Sequence, residues 1–304
     1  VKPESFAAVM ATGIVSISAV QHGYGVISRP LAVLAVVGLP MLMYLAVLRR
    51  RFLDLQNIDT VVGLFTYVAA CAVVAARFAE YGPALWILGT MGLAGWLALI
   101  PMLLVQMRRL GPTGLRDRAR GTWELVSVGT SGLSLIFVAE GIMFWGFIFW
   151  GVALCLYGVM TLLIAWRALG EPEVRRNVPP DHWILMGGLA IATLAGEHIY
   201  GALPPGPIAD AVRVLTIATF VVATVQIVPL ALTSWRRMLD WPAVFPLGMY
   251  SVAAFGLSLE TGWNALAVVS QVFFWIAFVA WLAVVVVVVG RVVRLTSGHG
   301  LRPE

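Results

Sequence analysis

Ten apolar stretches, each long enough to enter a bilayer, recur in pairs through the 304 residues, and nearly all the arginines fall in the gaps on one side. In hydrocarbon a backbone must satisfy its own hydrogen bonds, and a spanning helix needs about 20 apolar residues, so runs of this length read as membrane helices. Composition agrees. With 61% hydrophobic and 12% charged residues and a mean hydropathy of +0.93, the chain has more apolar surface than a soluble domain could bury.

The gaps place the spans near 6–20, 31–48, 60–76, 84–107, 122–138, 142–166, 183–199, 208–234, 242–259 and 264–290, which make residues 1–304 one all-α transmembrane domain. Arg49, Arg50 and Arg51 follow the second span, and Arg108, Arg109, Arg116, Arg118 and Arg120 follow the fourth. The next two alternate gaps carry Arg167, Arg175, Arg176, Arg236 and Arg237, and Lys2, Arg291, Arg294 and Arg302 join them from the ends. Only Arg29, Arg77 and Arg213 sit on the opposite side. By the positive-inside rule both termini are cytoplasmic, the number of spans is even, and the chain is a multi-pass protein of the cell (inner) membrane surrounded by lipid. The pI of about 9.6 thus reflects topology, and no nucleic-acid partner is expected. The first apolar segment reads as a retained helix, with no cleavage pattern at its end. Cys71 and Cys155 both fall inside apolar spans and read as buried small hydrophobes.

Odd-numbered spans begin about every sixty residues, at intervals of roughly 54, 62, 61 and 59. Each unit crosses twice and returns, so five hairpins share one orientation and are related by rotation about an axis along the membrane normal. Odd spans carry Gly, Ser and Thr about twice as densely as even ones, which suits an inner ring, whereas the longer and more uniformly apolar even spans suit lipid contact. Ten transmembrane helices then form a quasi-fivefold ring around a central pore. Gly13, Gly129, Gly187, Pro246 and Gly248 interrupt the odd spans, where they would bend the helices and shape the bore.

Enzymatic chemistry finds no support. The sequence has no Gly-rich phosphate loop, paired CxxC or HExxH, so no metal site or cofactor is expected, and its one lysine, Lys2, lies outside the spans. Ionisable residues inside spans are functional candidates by default. Glu124 either titrates at the inner mouth or complements the dipole of the fifth helix, and Glu197 with His198 either faces the outer vestibule or ends a wetted helix. Asp181 reads as an N-cap. Neutral hydroxyls remain for the pore wall: Thr12, Ser16, Thr66, Ser127, Thr130, Ser134, Thr193 and Ser251. Such dipoles hold an ion weakly enough to let it leave, which favours conduction over tight binding.

Met10-Ala11-Thr12-Gly13 resembles the MGTG segment of yeast malate permeases. The run from Trp241 to Gly248, with Pro242, Phe245 and Pro246, resembles the ninth-helix motif of TehA-type tellurite-resistance proteins and plant slow-type anion channels. Together with the five-hairpin layout, the chain resembles the tellurite-resistance/dicarboxylate transporter family over about residues 3–295. The resemblance implies a homotrimer, each protomer with its own pore lined by odd helices, conducting small monovalent anions. It also implies that an aromatic ring on helix nine, here Phe245, gates the pore. Ala11 stands where the MGTG segment of the malate permeases has its first glycine, a departure that weakens the implication of malate-specific contacts. The alternative function is a proton-coupled C4-dicarboxylate carrier of malate type or one related to tellurite, for which Glu124 or Glu197 would titrate.

Overall fold

A computed structural model describes residues 3–49, 54–171, 173, 178–234 and 241–297. Of the basic residues that set the expected orientation, Lys2, Arg50, Arg51, Arg175, Arg176, Arg236, Arg237 and Arg302 lie outside them. Among the described residues there is no strand, and ten helices are long and apolar enough to cross a membrane. They are α1 (Ala7–Gln21), α2 (Gly25–Leu48), α3 (Ile58–Arg77), α4 (Gly82–Arg118), α5 (Leu125–Ala139), α6 (Met143–Gly170), α7 (Trp183–Ala202), α8 (Pro207–Ser234), α9 (Trp241–Thr261) and α10 (Asn264–Ser297). Short 3₁₀ turns, Pro3–Phe6, Gly121–Glu124 and Pro180–His182, lead into α1, α5 and α7.

Helix ends follow local chemistry. The Asn57 side chain accepts from the Asp59 amide at 3.0 Å and starts α3. Gly23, Gly141 and Gly262, with φ of 78°, 74° and 71°, turn the chain just after α1, α5 and α9. After α1 and α5 the turn closes by a further bond, Tyr24 N to Ala19 O and Ile142 N to Phe137 O, both 2.8 Å. The same left-handed cap thus recurs at equivalent places in the hairpins. Helix α4 outruns its expected span because Gly111 (φ 66°, ψ 174°), just before Pro112, breaks the ladder there and a short second segment follows.

Burial divides the helices into two sets. Between 67% and 83% of each odd span is buried, against 17% to 33% of each even span, so odd helices are inner and even helices outer. Each inner helix packs on the next in chain order, and α9 packs back on α1, which closes a cycle of five.

Hydroxyls and indoles fasten the outer helices to the inner ones. Within the first hairpin Ser16 Oγ donates to Ser28 O and Ser28 Oγ to Ser16 O, both at 2.8 Å. The fifth hairpin repeats the reciprocal pair, Ser251 Oγ to Ser270 O at 2.6 Å and Ser270 Oγ to Ser251 O at 2.7 Å. Between hairpins, indole Nε1 groups of outer helices donate to the following inner helix: Trp96 to Thr130 Oγ1 at 2.8 Å, Trp150 to Ala192 O at 2.8 Å, and Trp281 to Thr12 Oγ1 at 2.9 Å. The last of these joins the fifth hairpin to the first. In lipid, where apolar contact between helices has no advantage over contact with acyl chains, such bonds and close packing hold helices together.

Candidate functional site: the space inside the inner helices

A cavity of about 190 Å³ lies inside the cycle and is lined from all five inner helices, from mid-helix toward the C-terminal end of α1, α3, α5 and α7 and at mid-helix on α9. Ile14, Val73, Gly132, Ile191 and Met249 surround its deep end, and all five are buried. Toward the other end the lining becomes exposed, at Ala76, Ala79, Ala139 and His198, so the cavity opens where the inner helices finish. Its walls are Ile, Leu, Val, Met, Ala and Gly, with Gln21 and His198 as the polar side chains and no lysine or arginine among them.

Below its deep end the bundle is closed. Phe245 is 0% exposed and stands four residues before Met249 and seven before Val252, both of which line the cavity. Helical periodicity therefore puts its ring on the same face of α9, one turn deeper. Met10 on α1 and Ala69 on α3, similarly spaced from lining residues of their helices, are 1% and 0% exposed.

The hydroxyls expected on the pore wall are turned elsewhere, and none of the eight lines this cavity. Six bond to outer helices: Thr12 accepts from Trp281, Ser16 pairs with Ser28, Thr130 accepts from Trp96, and Ser251 pairs with Ser270. Ser134 donates to Gly146 O at 2.7 Å, and Thr193 bonds Thr219 at 2.9 Å. Thr66 donates to Gly63 O at 2.6 Å, and Ser127 Oγ is buried with no partner among the described residues. A hydroxyl buried among apolar helices must be paired, and for these six the neighbouring outer helix supplies a partner.

The glycines expected to bend the inner helices lie in uninterrupted helix and mark close approaches instead. A Cβ added at Gly13 would stand 2.6 Å from Val73 Cγ1, and one at Gly248 would stand 2.9 Å from Ile14 Cγ2. At Gly187 it would meet Pro246 Cβ at 3.0 Å, and at Gly129 the Val68 side chain at 3.3 Å. Every one of these neighbours belongs to another inner helix, so the small residues set the width of the ring. Pro246 is thus the partner of Gly187 within continuous α9.

Neither carboxylate lies free at a mouth. Glu124 is 0% exposed; its Oε1 accepts from Thr161 Oγ1 at 2.7 Å and its Oε2 is buried without a hydrogen-bond partner among the described residues. Glu197 is 8% exposed and its carboxylate abuts Gly256, where any side chain would collide with it. Cys71 is buried as expected, whereas Cys155 is exposed on the outer surface of α6.

At the end where inner helices begin, polar contacts tie their starts together. Arg120 Nε is 3.4 Å from Asp181 Oδ2 and Nη2 is 3.7 Å from Glu4 Oε1, and Trp123 Nε1 donates to Asp59 Oδ1 at 3.2 Å. Asp181 therefore works as an ion-pair partner and accepts from the Thr122 amide at 3.4 Å. The sequence reading missed this collar, although Asp, Arg and Trp clustered before odd spans signal it. It also missed Gln21 and the apolar cavity wall, which the spacing of Ile14, Ile17 and Gln21 on one helical face could have indicated.

Comparison with known proteins agrees with a multi-pass membrane protein. Membrane proteins of Mycobacterium tuberculosis, described as uncharacterized, from strains CDC 1551 and H37Rv are each 32% identical to the chain over 173 residues, covering 48% of it and 84% of the relative. The family model described as voltage-dependent anion channel (SLAC1) matches residues 1–289. A multi-pass chain of ten apolar helices, matched over nearly its whole length, thus belongs to the voltage-dependent anion channel family.

Proposed function

We propose that this chain conducts small monovalent anions along the axis enclosed by its five inner helices, with the Phe245 ring as the closure. The observation that carries this is the alignment of Phe245 beneath the cavity on the face of α9 that lines it. Hydrophobic constrictions gate by excluding water and forcing an ion to shed hydration.

Polarity supports entry from one end. All five inner helices start at the end where Arg49 after α2, Arg116 and Arg118 at the end of α4, Arg120 before α5, and Arg167 near the end of α6 lie, so positive dipole ends and basic side chains face an arriving anion together. With both termini cytoplasmic and the chain in the inner membrane, that end is the cytoplasm. Apolar walls offer little to replace water, so dehydration cost ranks the permeant anions and disfavours divalent dicarboxylates. In this proposal three protomers assemble with one bore each, and cross-linking in mild detergent should give a ladder that stops at three.

Reconstitution into planar bilayers under bi-ionic conditions tests the proposal. Currents should reverse at the anion equilibrium potential, ignore a pH gradient and favour weakly hydrated anions. Reversal at a cation potential would overturn it, and saturable proton-linked malate uptake without current would replace it with a carrier.

A further inference from the structure

Arg77, in the last turn of α3, stands between Ala76 and Ala79, which line the cavity, and four residues after Val73 at its deep end. Its Nε donates to Ser16 Oγ and its Nη2 to Ser28 Oγ, both at 3.0 Å. Each of these hydroxyls already donates to a carbonyl oxygen across the first hairpin, so their lone pairs hold the guanidinium. Bonds to neutral hydroxyls fix the position of this charge and leave it uncompensated. Among the described residues no carboxylate lies within ion-pair distance of Arg77, whereas Arg213 at the same end pairs with Glu260 at 3.1 Å.

Charge is not needed to close the seam at this level. The places equivalent to Arg77, four residues after the deep lining residue of each other inner helix, are Ser18, Ile136, Ala195 and Ala253. Ser18 makes the corresponding link to the hairpin before it in the cycle, to Ser251 Oγ at 2.7 Å, with a hydroxyl alone. Arg77 thus adds one positive charge at a position that the other four hairpins leave neutral.

We infer that the cavity is a resting site for one small monovalent anion of the chloride or nitrate class, with Arg77 as its counter-charge. The inference rests on the pore proposal and assigns to that path a place where the anion pauses. Arg77 lies outside the lining, so it acts through an apolar wall that screens it weakly, and the anion is held without direct contact. That suits conduction, which needs binding weak enough to leave. The 190 Å³ space equals the share of about six waters, so the ion keeps part of its hydration while it waits beside Phe245. At the opening the inner helices end in carbonyl groups, which disfavour an anion. The favourable level is therefore that of Arg77, between Val73 and Ala79, and not the rim.

The test measures chloride current in planar bilayers against chloride concentration, with ionic strength held constant by an impermeant organic anion. Arg77→Gln, whose amide can still donate to the serines, should raise the half-saturating chloride concentration about tenfold, or ~1.4 kcal/mol. Arg77→Lys should stay near wild type. To separate charge from seam packing, Arg77→Cys on a Cys155→Ala background is labelled after reconstitution. A trimethylammonioethyl or a sulfonatoethyl methanethiosulfonate is applied from the outer face, two labels of similar bulk and opposite charge. At low salt the positive label should restore current and the negative one suppress it, and the difference should shrink as salt rises. Equal currents with the two labels, or an unchanged half-saturation in Arg77→Gln, would overturn the site while the pore proposal stands. Arg77→Lys behaving like Arg77→Gln would return the residue to a clasp between hairpins. If Arg77→Gln does not assemble, the labelled pair decides. Absence of any protein-dependent current would overturn both proposals.

Discussion

Replacing Phe245 by alanine separates a gate from a core side chain, because the two roles predict opposite balances of current and stability. The ring is wholly buried, and in a packed interior its loss would cost about 3–5 kcal/mol. As a closure beneath the open cavity it would leave a gap that water enters from Met249 outward, and the cost should stay well under ~3 kcal/mol. An anion squeezing past the ring gives up hydration that apolar walls do not replace. If truncation restores about 3 kcal/mol of that loss, conductance rises on the order of 100-fold, since each ~1.4 kcal/mol is a factor of ten. Phe245→Leu, which keeps half the bulk, should fall between. Bilayer current per protomer, read beside detergent unfolding of the same preparations, gives both quantities. Unchanged current in Phe245→Ala, or a stability loss of ~3 kcal/mol or more with no gain in current, would refute the assignment and return the ring to the core.

Trp281→Phe removes the indole bond to Thr12 that joins the fifth hairpin to the first, and unfolding should show a loss of about 0.6–1.5 kcal/mol. Trp96→Phe at the α4–α5 contact should behave alike, and the double variant should be additive because the pairs share no partner. Gly121→Ala would drive a Cβ into the Asp181 backbone and should cost more than about 3 kcal/mol or block folding. Gly158→Ala, with open space around it, should be neutral or gain up to about 1 kcal/mol on the same thermal assay. His22, at the α1–α2 turn, bonds Ser270 Oγ at 2.9 Å, and burial holds its imidazole below the ordinary value of 6.5. The unfolded chain then binds the proton more readily, so its stabilising contribution is complete above pH 6.5 and is lost as pH falls from there through the lowered folded value. His22→Gln should flatten that decline in unfolding midpoint between about pH 7.5 and pH 5.

Span count and the division into inner and outer helices were determined by the sequence, because each follows from quantities a bilayer reads locally. Leu, Val and Ile runs such as 264–290 have no other solvent, and the density of Gly, Ser and Thr in odd spans reports how closely neighbours approach. Helix nine was legible through Phe245 and Pro246, since that run carries a resemblance as well as a pattern. Side-chain direction was not legible. Thr12, Thr130, Ser134 and Ser251 share a helix with cavity-facing residues, and only the placement of Trp281, Trp96, Gly146 and Ser270 on adjoining helices decides that their hydroxyls turn outward. The same holds for Gly13 and Gly248, whose spacing reads equally as a bend or as room for a neighbour until Val73 and Ile14 occupy that room. Arg120 reaches Asp181, sixty-one residues later, through the return of one hairpin, α5 and α6. Local pattern fixes which segments enter the membrane, because lipid acts on each segment alone. Which face of a helix meets which neighbour depends on all ten at once, and that is decided only when the cycle closes.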